Sequence, residues 1–396
     1  MLTNHKREIT TLRIFTFAVF MTSGVIISYL PLYFKSLGFT SVQIGFLYSL
    51  GPLISIVSNF VWGVTSDKLQ TIKKVLQLLL ISQIITSFVL GLASTYGAVI
   101  VLLAAFNFFY YPMSPLTDSL AIVTTTAHKR SFVSVRVFGS IGFAFSALMF
   151  GFILGHIGAA YTIYVIIALG TFNLILGLFI TDKQASIRKM EFGGLLQILA
   201  KREIIAFFFC VLLLAIAHRI NEAFLGLSLV ELGGAESIVG WAWTISAVSE
   251  IPIFFLLNAY GERFKELPLL AIAAGMYVVR LLIASLVQTP FWLMSTQAMH
   301  GITFGIYYFV AIRYLNRIIP EEYRATGMAV YTIVWSSIAG LLSGTIGGPL
   351  MESYGKDVVY MAGVCFAALA GIGFILISFF SMRGGSLASV RKSSHK

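Results

Sequence analysis

Long apolar runs constrain the fold of this chain more than any other feature. Several of them exceed the roughly 20 residues that a helix needs to cross the hydrocarbon core of a bilayer. Hydrophobic residues make up 58% of the 396 residues and charged residues only 11%, whereas soluble domains are about 45–50% apolar. The sequence therefore predicts an all-α polytopic membrane protein.

Twelve apolar segments can be counted along the chain. They lie near 11–35, 41–66, 73–92, 95–126, 131–156, 159–181, 204–231, 237–260, 267–287, 290–318, 324–353 and 357–381. The longest polar stretch between them divides the twelve into two sets of six. We predict an N-terminal six-helix bundle over 1–182, a cytoplasmic linker over 183–203, a C-terminal six-helix bundle over 204–382 and a basic cytoplasmic tail over 383–396.

The positive charges alternate between loops. The net charge is +11, which in a soluble protein would suggest nucleic acid as a partner. Here Lys and Arg cluster in every second loop, and the intervening loops carry only Lys35 and Lys356. Because cytoplasmic loops carry such an excess, we expect a multi-pass protein of the cell (plasma or inner) membrane with both termini cytoplasmic and no nucleic-acid partner.

The two halves repeat a short acid–base pattern. Asp67 and Lys68 end the second segment, and Glu262 and Arg263 end the eighth. Both pairs would lie at cytoplasmic helix ends, too far from the membrane midplane to bind a solute there, so we interpret the four residues as a gate. Parallel six-helix halves are a known transporter plan, with the solute site near the midplane between them.

Five ionisable residues interrupt segments that are otherwise apolar: Asp118, Arg136, Glu250, Arg280 and His300. A charge at the centre of a membrane helix costs about 2.5–3.5 kcal/mol even on the lenient insertion scale. Such residues therefore face a bundle interior or a water-filled cavity and usually pair. This set suits a protein that moves a polar solute and a proton across a membrane.

In the first half, Asp118 and Arg136 lie on neighbouring antiparallel segments, where their side chains can meet. Asn107, Tyr111 and Asp118 share one helical face, at spacings typical of a single stripe. Phe143 lies two helical turns beyond Arg136 and could add an aromatic wall. These residues are candidates for binding the solute, and the alternative is a static salt bridge that helps the bundle assemble.

In the second half, Glu250, Arg280 and His300 come from three successive segments. Gln297, His300, Phe304 and Tyr307 share a face of the tenth segment if that segment is a regular helix. An arginine near a carboxylate favours its ionised form, so a change in their distance would act as a proton switch. We expect Glu250, Arg280 and His300 to couple protons, and His300, Phe304 and Tyr307 to bind the solute; His300 could instead be a hydrogen-bonded core histidine.

Two further patterns are read mainly as structural. His218, Arg219 and Glu222 form a cluster in the seventh segment, where Arg219 and Glu222 are spaced to pair on the helix surface; a gate or a coupling site is the alternative. Small residues at four-residue spacing let helices approach closely, and the eleventh segment carries such a stripe at Gly340, Gly344 and Gly348.

Taken with these motifs, the chain resembles the major facilitator superfamily over essentially its whole length. Gly63 and Asp67-Lys68, followed by Lys73-Lys74, are similar to the loop motif between the superfamily's second and third helices. The run from Arg136 through Gly139, Ser140 and Gly142 to Phe143 resembles the fifth-helix signature of the branch that holds lactose permease and the phenylpropionate and nucleoside permeases.

The resemblance implies a solute-binding role for Asp118 and Arg136 and a relay of Glu250, Arg280 and His300. Two positions depart from the branch. Thr303 stands where lactose permease has a relay glutamate, which leaves Glu250 or Asp118 as the proton carrier, and Phe143 stands where its galactose-stacking tryptophan lies. A galactoside is therefore not implied.

We expect a secondary active transporter that carries out proton-coupled symport of a small polar or amphipathic solute, namely a sugar, a nucleoside or an aromatic acid. A drug or metabolite exporter of the same fold is the main alternative. A membrane-embedded enzyme or a sensor is less favoured, because neither a nucleophile–base constellation nor a long loop is apparent. Cys210 and Cys365 have no metal-ligand spacing, so we expect no metal, no cofactor and a monomer whose partners are the solute, protons and the lipid bilayer.

Overall fold

The computed structural model describes residues 2–182, 200–260, 263–320 and 324–393, and within these ranges the chain is helical with no strand. The first half contains α1 Leu2–Ser36, α2 Ser41–Leu69, α3 Ile72–Gly91, α4 Tyr96–Tyr110, α5 Met113–Ala127, α6 Val133–Ile157 and α7 Thr162–Phe179. The second half contains α8 Arg202–Glu231, α9 Glu236–Tyr260, α10 Glu266–Leu286, α11 Pro290–Ser295, α12 Ile306–Ile318, α13 Arg324–Thr332 and α14 Ala339–Ser393.

Local sequence signals set several helix ends. Thr40 caps α2 through a capping box with Gln43, and Gln70 ends the helix in the left-handed conformation, with φ of 54°. The Thr71 hydroxyl accepts a hydrogen bond from the backbone of Lys74 at the start of α3. Because α2 and α3 are separated by only two residues, the chain reverses direction there in a tight turn.

Ten helices in the described ranges are long and apolar enough to cross a membrane. One of them, Val330–Phe380, is twice the usual length, and Gly355 breaks it with a φ of +75°. The segment from Pro290 to Ile318 is not among the ten, because it is built from short helical pieces. Twelve spans would result if the long helix were divided at Gly355 and the segment from Pro290 to Ile318 were counted, so the number twelve stays a prediction.

Three predicted spans are not regular helices. In the eleventh, a π-helical turn, Ile333–Ile338, joins α13 to α14. The fourth is interrupted at Tyr111 and Pro112, between α4 and α5, because proline lacks the N–H that an α-helix needs and its ring clashes with the preceding turn. The tenth passes from α11 through a 3₁₀ turn, Thr296–Met299, and a π-helical turn, Gly301–Gly305, before α12. The π turn inserts one residue and so shifts which side chains share a face.

Successive spans cross in alternate directions, which gives the bundle two faces. We call the face where α1 begins, α2 ends and α8 begins the terminus face, and the opposite one the far face. Direct contacts between the halves lie between the middle of the bundle and the far face. Examples are Lys35 with Glu231, whose charged atoms are 3.7 Å apart, and Val42, whose N–H donates to Glu352 at 2.9 Å.

The glycine stripe of the eleventh span packs as the sequence predicts. A side chain at Gly344 would collide with the carbonyl of Gly45 on α2, and one at Gly348 would press on the backbone of Ser41. Gly340 similarly packs on Pro52. The two helices approach so closely because α14 carries no side chain at these three points and α2 has a glycine opposite Gly344. This contact closes the far face between α2 and α14.

Candidate functional site

Asp118 and Arg136 form an ion pair in the first half. Arg136 Nε lies 3.5 Å from Asp118 Oδ1, across α5 and α6, and the two side chains remain 36% and 29% exposed respectively. The Arg136 guanidinium also lies over the ring of Phe20 on α1, 4.2 Å from its centroid. The sequence predicts the pair but not the aromatic ring, which presents its face to the cation.

Glu250, His300 and Arg280 form a chain in the second half. His300 Nε2 lies 3.0 Å from Glu250 Oε1, and Arg280 Nη1 lies 3.1 Å from His300 Nδ1. Because a guanidinium donates and never accepts, His300 Nδ1 must be the acceptor. The proton of the neutral ring is thereby assigned to Nε2, where it faces the carboxylate of Glu250.

Arg280 is held by neutral groups rather than by a carboxylate. It is 1% exposed, and it donates to Thr303 Oγ1 at 3.1 Å and to the side-chain oxygen of Gln297. The sequence led us to expect Arg280 beside Glu250, but His300 separates the two. Thr303, which stands where a relay acid occurs in the resembling branch, here accepts from Arg280.

A stack of aromatic rings extends from this chain. The rings of His300 and Phe304 are 5.1 Å apart, and those of Phe304 and Tyr308 are 5.4 Å apart, each pair tilted by 27°. Tyr308, 40% exposed, continues the stack because the π turn moves the face by one residue. Tyr307, predicted on that face, is instead buried against Trp335 and accepts a hydrogen bond from Tyr331 at 3.1 Å.

The Asp118–Arg136 pair and the Glu250–His300–Arg280 chain face the same crevice between the halves. Tyr308 lies within electrostatic range of Asp118, Arg136 and Glu250, although Asp118 and Arg136 belong to the first half and Glu250 to the second. Since the contacts between the halves lie toward the far face, this crevice opens toward the terminus face. The arrangement places a carboxylate and a guanidinium on one wall of the crevice and the hydrogen-bonded chain of Glu250, His300 and Arg280 on the other.

The cluster on α8 occupies a different cavity of about 180 Å³, closer to the far face. Arg219 Nη1 lies 2.5 Å from Glu222 Oε2, as the spacing predicts, and His218 Nε2 lies 3.6 Å from Glu222 Oε1. Across the halves, the hydroxyl of Tyr48 donates to Glu222 Oε2 at 3.5 Å. Asn107 and Tyr111 line this cavity, not the crevice of Asp118.

Three other residues predicted to belong to the site, Phe143, Asp67 and Lys68, lie in different surroundings. Phe143 makes an edge contact with Trp243 of the second half, with ring centroids 6.0 Å apart, so this aromatic contact crosses the interface between the halves. Asp67 and Lys68 lie in the last turn of α2, and neither makes an ion pair with another described residue.

Of the other two gate residues, Glu262 lies outside the described residues, and Arg263 lies 5.1 Å from the ring of Tyr260. The gate therefore stays a prediction.

Sequence reasoning missed Phe20, Tyr308 and Tyr48. Phe20 and Tyr48 sit in apolar segments without a neighbouring charge, and nothing in their spacing links them to Arg136 or Glu222. A regular helical period places Tyr307 rather than Tyr308 on the face of His300 and Phe304, and the π turn reverses this. The four-residue spacing from His300 through Phe304 to Tyr308 is the one signal that could have found it.

Comparison with known proteins agrees with this architecture. A family model described as "MFS_1 like family" matches residues 9–362. A maltose permease of Geobacillus stearothermophilus is 25% identical over 380 residues, covering 94% of this chain and 95% of that protein. A probable 3-phenylpropionic acid transporter of Escherichia coli (strain K12) is 25% identical over 303 residues, covering 76% and 80%.

A solved structure gives the same fold. The crystal structure of the nucleoside transporter NupG superposes with a TM-score of 0.83 at 17% identity, covering 93% of this chain and 98% of that one. At that identity the likeness concerns the fold. The family match, in contrast, extends over most of the sequence, and the chain therefore belongs to the MFS_1 like family of the major facilitator superfamily.

Proposed function

We propose that this secondary transporter carries a small polar or amphipathic solute together with protons, as a monomer with both termini in the cytoplasm. Relatives named for maltose and 3-phenylpropionic acid, and a fold neighbour named for nucleosides, support a sugar, an aromatic acid or a nucleoside as solute. With no nucleotide-binding motif in the sequence, the driving force is a gradient. One proton moved inward at 100 mV contributes about 2.3 kcal/mol.

The observation that carries the proposal is the hydrogen-bonded chain Glu250–His300–Arg280 on the wall of an open crevice. Arg280 holds the tautomer of His300, and the Nε2–H of His300 points at Glu250. Glu250 is 22% exposed at its side chain, so it can exchange a proton with water in the crevice. A carboxylate that both reaches water and contacts a fixed donor is suited to carry the transported proton.

The opposite wall is suited to the solute. Asp118 accepts hydrogen bonds and Arg136 donates them in a planar fork, so together they bind hydroxyl, amide or carboxylate groups. Phe20 on one side and the stack of Phe304 and Tyr308 on the other supply aromatic faces. A solute that bridges the walls would draw the halves together at the terminus face, which is the step that alternating access requires.

The paired charges also favour symport over the export of drugs. An exporter of apolar solutes would gain little from charged side chains in its crevice, because each charge inside a membrane has a free-energy cost. All the named relatives above are permeases or transporters, so we set aside an enzymatic role.

The test replaces Glu250 with glutamine. Gln keeps the shape and the contact with His300 but cannot titrate. Purified protein is first screened by thermal shift with sugars, nucleosides and aromatic acids, and the solute found is then followed in proteoliposomes. We expect Glu250→Gln to lose accumulation driven by a proton gradient and to retain exchange of labelled for unlabelled solute.

Asp357→Asn is the matched control, because Asp357 is an exposed acid that contacts Lys356 and Gln288 of its own half. It should accumulate solute at close to the wild-type rate. Proton-driven accumulation that persists in Glu250→Gln would contradict the assignment and direct attention to Asp118.

A further inference from the structure

The cavity beside Arg219 and Glu222 is separate from the crevice and has the features of a binding site. Its volume is about 180 Å³, and α1, α2, α4, α8 and the π-helical turn Ile333–Ile338 surround it. The far-face packing of α2 on α14 lies beyond it. A molecule in this cavity would touch both halves at once.

Two polar side chains in the lining lack protein partners. Asn107 is 6% exposed, yet its carboxamide makes no hydrogen bond with another described residue, and the hydroxyl of Tyr111 makes none either. Buried polar groups are hydrogen-bonded in the large majority of cases. A carboxamide can both donate and accept, so Asn107 is poised to meet a ligand that carries an acceptor and a donor.

The charged residues of the cavity lining carry opposite charges, so the lining has no net charge. Arg219 and Glu222 are the two charged residues that the described lining contains, and they lie 2.5 Å apart. Arg219 is further held by Ser336 at 3.0 Å, so its guanidinium is not free for an anionic ligand. An anion would also approach the carboxylate of Glu222, and like charges repel strongly where water is scarce.

Most of the remaining wall is apolar, which limits the ligand further. Its side chains include Ile26, Leu30, Phe34, Leu47 and Leu103. An engineered cavity of about 150 Å³ with such a lining accepts benzene, so 180 Å³ holds one ring with a small substituent. A disaccharide needs more volume and many more polar partners than this wall provides.

Building on the transport function proposed above, we propose that this cavity binds an uncharged solute with a single aromatic or heteroaromatic ring and an amide-like donor and acceptor at one end. The ring lies among the apolar side chains. The polar end meets Asn107 and Tyr111. As its own ligands, this cavity disfavours both aromatic acids and disaccharides.

The test uses benzamide and benzoate, which share a ring and a size but differ in charge. Binding of each to purified full-length protein is measured by calorimetry, with maltose as a third probe. We expect benzamide to bind at least tenfold more tightly than benzoate, and maltose not to compete with benzamide. Asn107→Ala should weaken benzamide at least fivefold.

Asn221→Ala is the matched control, since Asn221 is an asparagine on α8 that is 3% exposed and does not line the cavity. It should leave benzamide affinity unchanged. Glu222→Gln supplies a second readout, because it frees the charge of Arg219 and should shift the preference toward benzoate.

The opposite results would overturn the inference. These are benzoate binding as tightly as benzamide, no saturable binding of benzamide to wild type, or equal benzamide affinity in Asn107→Ala and wild type. The result of this binding test does not depend on the result of the transport test with Glu250→Gln. If benzamide binding fails while Glu250→Gln loses accumulation but keeps exchange, the proposed symport stands and the cavity site does not.

Discussion

At the scale of single residues, the ionisable side chains within the bundle are bound to one another or to neutral donors and acceptors. Arg136 has two partners of different kinds, the carboxylate of Asp118 at 3.5 Å and the ring of Phe20 at 4.2 Å. A guanidinium stacks on a ring and keeps a planar fork of donors, whereas an ammonium does neither as well. The identity of this residue as arginine should therefore matter beyond its charge.

Arg136→Lys tests this point. Lysine keeps the positive charge beside Asp118 but loses the stacking on Phe20, and a cation–π contact of this kind contributes about 0.5–2 kcal/mol. We expect substrate affinity to fall by up to thirtyfold on the same scale, with expression and melting temperature close to wild type. Arg136→Ala should abolish binding.

The control is Arg7→Ala, at an exposed position of α1 outside the crevice, which should bind substrate normally. Normal uptake by well-expressed Arg136→Ala protein would assign the pair to helix assembly instead.

The residue pairs could be predicted from the sequence because unpaired charge in a membrane is costly. That argument pairs Asp118 with Arg136 and groups Glu250, Arg280 and His300, but it places Arg280 beside Glu250, where the structure has His300. It could not select uncharged neighbours such as Phe20, because an apolar ring in an apolar segment has no signature of its own. Tyr48 was missed for the same reason, although its hydroxyl bridges the halves to Glu222.

At the scale of helices, the pairing of α2 with α14 illustrates how small residues govern membrane packing. Gly344 lies against Gly45 and Ser49 with no space for a side chain. The spacing of the three glycines predicted a close helix contact, but the partner helix could not be read from the stripe itself. The π turn before α12 could also not be predicted from the sequence, because arguments from residue patterns assume one regular helical period.

Gly344→Ala should destabilise this contact. An added methyl group must displace the Gly45 carbonyl or the Ser49 side chain, and overpacking of this kind typically costs about 1–3 kcal/mol. We expect a lower melting temperature in detergent. Gly275→Ala is the control, because nothing lies within 4 Å of a side chain at that helical position, and alanine is there favoured by about 1 kcal/mol. A melting temperature for Gly344→Ala equal to that of Gly275→Ala would contradict the close packing.

At the scale of the whole molecule, two helical halves meet toward the far face and leave a crevice toward the terminus face. The division into halves is a prediction from the longest polar stretch of the sequence. The helical class follows from apolar length, and the family follows from the motifs and the match over residues 9–362. The direction in which the crevice opens does not follow from the sequence, because one sequence must adopt both states in a transporter. The structure thus shows on which side the crevice is open, which composition and residue spacing do not determine.

The orientation in the membrane is tested by reporter fusions. Lys and Arg concentrate in the loops at the terminus face, so we expect fusions after Met190 and Lys396 to report a cytoplasmic location. A fusion in the loop near Lys35 should report the outside and serves as the control. A periplasmic signal at either of the first two sites would contradict an even number of spans with cytoplasmic termini.

Alternating access is the central claim, and a reversible crosslink at the far face tests it most directly. A side chain at Gly155 on α6 would lie 3.8 Å from the backbone nitrogen of Ser237 on α9 in the other half, so the two positions face each other across the halves. In Gly155→Cys/Ser237→Cys protein that lacks Cys210 and Cys365, oxidation should stop transport and reduction should restore it. Each single cysteine variant should transport under both conditions. Fully crosslinked protein that transports at the wild-type rate would show that the halves need not separate at the far face, and it would contradict the account.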